Sequence, residues 1–96
     1  MPGVQRVGDL NAGGGAARGP GHDNVLINGR PALIPRTQFT PHMGCNPRNP
    51  VHCRGTVAVK GTSETVKANG KPLVLDGNQD SCDHARIRGS RDVKAT

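Results

Sequence analysis

The chain has 96 residues, a formal net charge of +6, 14 Gly and 8 Pro, and Phe39 is its one residue among Phe, Tyr and Trp. That composition describes a single small domain, 1–96, too short and too poor in large apolar side chains to be held by burial alone; a metal, a disulfide or a partner is expected to complete it. It excludes a membrane-crossing helix, which needs ~20 apolar residues, and residues 1–7 lack the apolar core of a signal peptide, so the chain is expected to be made and kept in the cytoplasm unless a dedicated machine exports it.

In chain order, Gly13-Gly14-Gly15 comes first as a flexible or tight-turn element. It is no dinucleotide fingerprint, because no strand precedes it and no helix follows. After Arg18-Gly19 comes Asn24-Val25-Leu26-Ile27-Asn28-Gly29-Arg30-Pro31. Asn-Gly between short apolar stretches signals a type I′ hairpin, since both central residues need positive φ. Residues 25–27 are predicted as one strand and 32–34 as its return. The pattern recurs 41 positions later, after Lys60-Gly61, as Thr65-Val66-Lys67-Ala68-Asn69-Gly70-Lys71-Pro72, with 73–75 as the return. Pro31 and Pro72 cannot donate to a ladder and belong at strand starts or edges. A third leader, Arg88-Gly89-Ser90-Arg91-Asp92-Val93, has no hairpin after it. Repeat copies are therefore expected at about 8–44 and 45–84, with a truncated third at 85–96. No window carries apolar residues at helical spacing. The expected fold class is all-β with long loops.

Metal-capable side chains fall in two places: His42, Cys45, His52 and Cys53 in one, and Cys82 with His84 in the other. His42 lies 14 residues after Asn28; Cys82 and His84 lie 13 and 15 after Asn69. The two clusters thus occupy one position in successive repeats and converge if the repeats pack about a common axis. Three His and one Cys suit tetrahedral Zn²⁺, and structural zinc can supply on the order of 10 kcal/mol of folding free energy. His22 sits in a leader segment and reads as a surface histidine. Cys45 and Cys53 are free thiols or a disulfide pair, and in a cytosolic chain metal ligation or free thiols come first. Asp76, Asp80 and Asp83 near Cys82 read as solvated loop carboxylates or partners of the ligands. Four protein ligands leave no open position for water, and no oxyanion device or phosphate loop is present, so an enzyme is not expected. Nucleic acid is not the expected partner either: the basic residues form no run longer than two, and base-stacking aromatics are lacking.

The Val7-Gly8-Asp9 opening, the twice-repeated Asn-Gly-basic-Pro turn and the His- and Cys-bearing loops resemble the PAAR-repeat family over nearly the whole chain, about 4–93. The Pro-Ala-Ala-Arg motif itself is replaced by Pro31-Ala32-Leu33-Ile34 and Pro72-Leu73-Val74-Leu75. The resemblance implies a small cone of short hairpins with pseudo-threefold repeats and one structural Zn²⁺ (alternatively Fe²⁺) near the apex. It implies a membrane-piercing tip that caps the trimeric β-helical spike of a contractile injection apparatus, a phage tail or a type VI secretion device. One tip would serve each trimer, meet the target envelope during injection and take no small-molecule substrate. In many members of that family one histidine comes from the first loop; here residues 10–15 offer no ligand. The ligand set implied is His42, His52, Cys82 and His84, with His22 as the alternative to His84. The spike is expected to meet β edges and side chains such as Val25, Ile27 and Val66. The short chain reads as a bare tip with no payload. The competing reading is a small metal-stabilised module that binds nucleic acid or another acidic partner.

Overall fold

The computed structural model describes all residues except Met1, Asn49, Lys60, Glu64, Thr65, Asn69 and Thr96. It is a compact, mostly β structure. The dominant element is a hairpin of β1 (Ala17–Ile27) and β2 (Arg30–Phe39). Its turn is the one expected: Asn28 and Gly29 both have positive φ, 54° and 80°, which makes it type I′. The strands are much longer than the apolar stretches that mark them. Register shifts between the Gly19, Gly21 and Leu26 pairings let β1 run back through the Gly-rich leader to Ala17, opposite Phe39. The second hairpin is shorter than expected, with β3 (Lys67–Ala68) against β4 (Lys71–Pro72). Leu73, Val74 and Leu75 are spent on the core instead of a long return strand. Asn69, the first residue of that turn, lies outside the described residues, as do Lys60 and Thr65 of the second copy.

One hydrogen-bond pattern appears three times among the described residues. Gly8 N–H donates to the Ala17 carbonyl and Ala17 N–H to Asp9; Arg36 donates to Val57 and Val57 to Thr37; Gly77 donates to Arg86 and Arg86 to Asn78. The residue opening each loop, Gly8, Arg36 or Gly77, has positive φ (94°, 69° and 90°). One step inward, Leu10 bridges Ala16, Gln38 bridges Thr56 and Gln79 bridges Ala85. The next bond runs from Asn11 to Gly15, from Phe39 to Gly55 and from Asp80 to His84. Loops 9–17, 37–57 and 78–86 are therefore copies of one closed loop, the middle one enlarged by an insertion. The repeat boundaries expected at 44/45 and 84/85 fall inside two of these loops.

Equivalent positions supply the interior. Gln5, Leu33 and Val74 form one set, Asn11, Phe39 and Asp80 a second, and Ala17, Val57 and Arg86 a third, all 2% exposed or less. One apolar cluster gathers Leu33, Phe39, Val57, Val74 and Cys82. A second gathers Val4, Ile27, Ala32, Leu73, Leu75 and Ala95, with Val25 packed against it. Val25 and Ile27 are thus drawn into the fold, against the expectation that they face a partner, while Val66 stays exposed. The third arm closes on the start of the chain: Val4 N–H donates to Val93, Ser90 N–H to Val4, and Gly3 pairs with Lys94. Asn28 at the hairpin tip is held from both sides, accepting from Arg6 at 3.1 Å and from Ser90 at 2.6 Å.

Candidate metal centre

The middle loop is built to present two imidazoles. Thr40 anchors its root, its hydroxyl accepting from Ala16 N–H at 3.0 Å. His42 N–H then donates to the His52 carbonyl at 3.1 Å, and Cys45 N–H to the His42 carbonyl at 3.0 Å. A single 3-10 turn, Pro50–His52, brings the chain back. Cys45 and Cys53 are joined by a disulfide with Cα atoms 4.5 Å apart. The bridge overturns the preference for free or metal-bound thiols there: these two sulfurs clamp the insertion, and Cys82 is left as the free, buried thiol. The third loop supplies Cys82 and His84, two residues apart across its bend.

These segments meet. His42, His52, Cys82 and His84 each turn one ligand atom into a common point, all within 4.8 Å of one another. The Nε2 of His42 stands 3.2 Å from Nδ1 of His52 and 3.7 Å from the Cys82 sulfur. A tetrahedral centre with bonds of ~2.0–2.1 Å to nitrogen and ~2.3 Å to sulfur has N···N edges of about 3.3 Å and N···S edges of about 3.6 Å. Two edges of such a tetrahedron are already in place. The tautomer of His42 follows from its other nitrogen: Nδ1 lies 3.1 Å from the Thr40 carbonyl, which only accepts, so Nδ1 carries the proton and Nε2 offers a bare lone pair. The edge of Phe39 packs on the same ring, centroid to centroid 5.1 Å.

The first loop contributes room. A Cβ on Gly13 would stand 2.6 Å from Nε2 of His84 and 2.9 Å from the His42 ring, and one on Gly15 would stand 2.7 Å from Nδ1 of His42. By the shared hydrogen-bond pattern, Gly13 occupies the place of Cys82 and Gly15 that of His84. Where the third loop donates two ligands, the first donates space for imidazoles.

Burial sets the protonation of two of the four groups. Burial pushes the Cys82 thiol up from its ordinary value, and the carboxylate of Asp80 pushes the same way. Burial holds His84 below an ordinary imidazole, reinforced by the His52 and His42 rings beside it. Without an ion, His84 therefore favours its neutral ring and Cys82 its protonated thiol. A divalent ion bound there would take the lone pairs of the three rings and displace the thiol proton. Comparison with known families and with curated proteins finds no match for the chain. The case for the centre rests on its geometry.

His22 does not join the group. It lies in β1 and is buried, 4% exposed, rather than on the surface as its sequence context indicates. Two of the three aspartates also differ from the reading as solvated loop carboxylates. Asp80 is fully buried, 3.4 Å from the Arg86 guanidinium. Asp76 accepts from Gln5 at 2.7 Å and from Gly89 N–H at 2.8 Å. Asp83 alone of the three is exposed. Sequence reasoning missed Asn11 and Arg86 altogether. The signal was present: Gly8-Asp9-Leu10-Asn11 and Gly77-Asn78-Gln79-Asp80 share a Gly-Asx-x-Asx pattern, followed at equal distance by Ala17 and Arg86.

Proposed function

We propose that this chain is a metal-pinned structural tip of PAAR type, one copy of which caps the end of a trimeric β-helical spike in a contractile injection apparatus. The observation that carries the reading is that the ligand atoms of His42, His52, Cys82 and His84, from two equivalent loops, all come within 4.8 Å of one another. The ion is Zn²⁺: three neutral imidazoles and one thiolate form a closed set suited to it, and elemental analysis separates it from Fe²⁺. A point that transmits force must stay folded with little core behind it. Clamping two loops through one ion stabilises a fold whose burial alone is meagre. Three copies of one loop in a single chain match a three-chain stalk by quasi-equivalence, so that one tip seats on one trimer. The hairpin repeat and the absence of free coordination positions favour a structural over a catalytic role.

The test is assembly. The zinc-loaded chain is mixed with trimeric β-helical spike ends from phage-tail and type VI secretion devices, and mass is read by native mass spectrometry. The expected species is one chain per trimer; failure to associate with every such spike end overturns the assignment. A groove of about 680 Å³ lined in part by Arg6, Arg88, Arg91 and Lys94 favours the second reading, a module for an acidic partner. Asp76 and Asp92 share that wall and temper its charge. Steeply salt-dependent retention on DNA or RNA would support this reading; no retention at low salt removes nucleic acid from it.

A further inference from the structure

Asn11 occupies an interior position whose equivalents are Phe39 and Asp80, and its side chain is fully buried. Every polar valence of its amide is used. The carbonyl oxygen accepts from Gly13 N–H at 3.0 Å and from Gly15 N–H at 2.8 Å. Two backbone donors on one oxygen fix which end of the amide is which, an assignment that otherwise rests on convention. The nitrogen must then be the atom that faces Asp80 Oδ2 at 3.0 Å and the Cys82 sulfur at 3.8 Å. Its two hydrogens serve those two acceptors. Asp80 is held in turn by Arg86 at 3.4 Å and by Ala58 N–H at 2.9 Å. Arg86 is anchored by bonds to the carbonyls of Asp9 and Gly15, at 2.8 and 2.9 Å.

We propose that Asn11 is a positioning residue of the metal centre: its Nδ2–H donates to the Cys82 thiolate and sets how strongly that sulfur binds the ion. The inference rests on the metal-centre reading above. An N–H directed at a thiolate withdraws charge from sulfur, lowers the energy of its lone pairs and fixes their direction. The donor is rigid because its carbonyl end is tied to the glycine loop and its nitrogen to a buried carboxylate. That arrangement also links the two loops that meet at the ion: Gly13 and Gly15, which make room for the imidazoles, hold the amide that braces the sulfur. A purely structural asparagine would need the loop bonds but not the bond to sulfur.

The test uses the full chain loaded with Co²⁺, whose sulfur-to-metal charge-transfer band reads the sulfur and whose visible bands read tetrahedral geometry. Asn11→Ala is compared with Asp9→Asn, which weakens the ion pairs of Asp9 with Arg6 and Arg30 at the root of the same loop without touching Cys82. With Asn11→Ala the charge-transfer band is expected to move to lower energy while the visible bands persist, and Co²⁺ affinity to fall about 10–100-fold, the range for partners of metal ligands. Asp9→Asn is expected to leave the band in place. A band at the wild-type position in Asn11→Ala overturns the proposal. If Asn11→Ala does not fold, the wild-type chain loaded with a spin-active cadmium isotope decides. Scalar coupling between cadmium and an Asn11 side-chain amide proton supports the N–H···S bond, and its absence overturns it. The absence of any tetrahedral Co²⁺ spectrum in the wild type would overturn the metal centre itself, whereas an unmoved band with that spectrum intact removes only the role of Asn11.

Discussion

Gly13→Ala separates metal binding from folding with a single methyl group. Gly13 is not among the glycines with positive φ, so alanine fits its backbone, and such a replacement stabilises a chain by about 0.4–1 kcal/mol through the unfolded state. The methyl lands on the ligands. It would stand 2.6 Å from Nε2 of His84, where ordinary contact begins at 3.4 Å, so that atom must retreat by about 0.8 Å. In the metal-free protein an imidazole tip swings away at small cost. Around an ion the tolerance is roughly 0.2 Å, so His84 is lost as a ligand or the whole cluster shifts. Affinity should fall by at least 10–100-fold, the penalty for disturbing even an outer partner of a ligand, which is about 1.4–2.8 kcal/mol. Chelator competition measures the affinity, and urea unfolding of metal-free and zinc-loaded protein measures stability. Metal-free Gly13→Ala should match or exceed wild type while the zinc-loaded form falls below it. Wild-type zinc affinity in this variant would refute the placement of His84 at the ion.

Replacing Cys45 and Cys53 together by Ser opens a loop whose cysteines are 8 positions apart, which costs about 2.5 kcal/mol in the chain-entropy account. Zinc affinity should drop with it, because His52 sits inside the bridge; unchanged urea midpoints and affinity would contradict the clamp. Asp80→Ala leaves the buried Arg86 guanidinium without its counter-ion and should cost about 3–5 kcal/mol in urea unfolding; a near-neutral result would remove the buried pair from the account. Because His84 is held below its ordinary value, the unfolded metal-free chain takes up that proton first as pH falls. Metal-free stability should be full above pH ~6.5 and decline below it, and a flat urea midpoint between pH 7.5 and pH 5 would contradict this.

The turn at Asn28-Gly29 was legible because it depends on two adjacent residues alone. The convergence of His42 with Cys82 and His84 was legible from their similar distances to the two Asn-Gly pairs, 14 residues against 13 and 15. The reach of β1 was not, since the stretch 17–24 offers Gly, Pro and charge where a strand normally shows apolar alternation; it is a strand because β2 lies beside it and bulges absorb the mismatch. The burial of His22, Asp80 and Arg86 ran against residue type, and only tertiary pairing makes a buried carboxylate and guanidinium tolerable. The first loop was the hardest to read. Its copy of the repeat is marked by Asp9 and Asn11 rather than by an Asn-Gly turn, and its contribution to the centre is the absence of side chains at Gly13 and Gly15.

Whether one ion joins two loops of this thinly cored chain is read from anomalous scattering by crystals of the zinc-loaded protein. One peak per chain is expected, bonded to Nε2 of His42, Nδ1 of His52, the Cys82 sulfur and a ring nitrogen of His84. Ordered crystals in which zinc is bound elsewhere, or in which these four side chains point apart, would refute the shared ion.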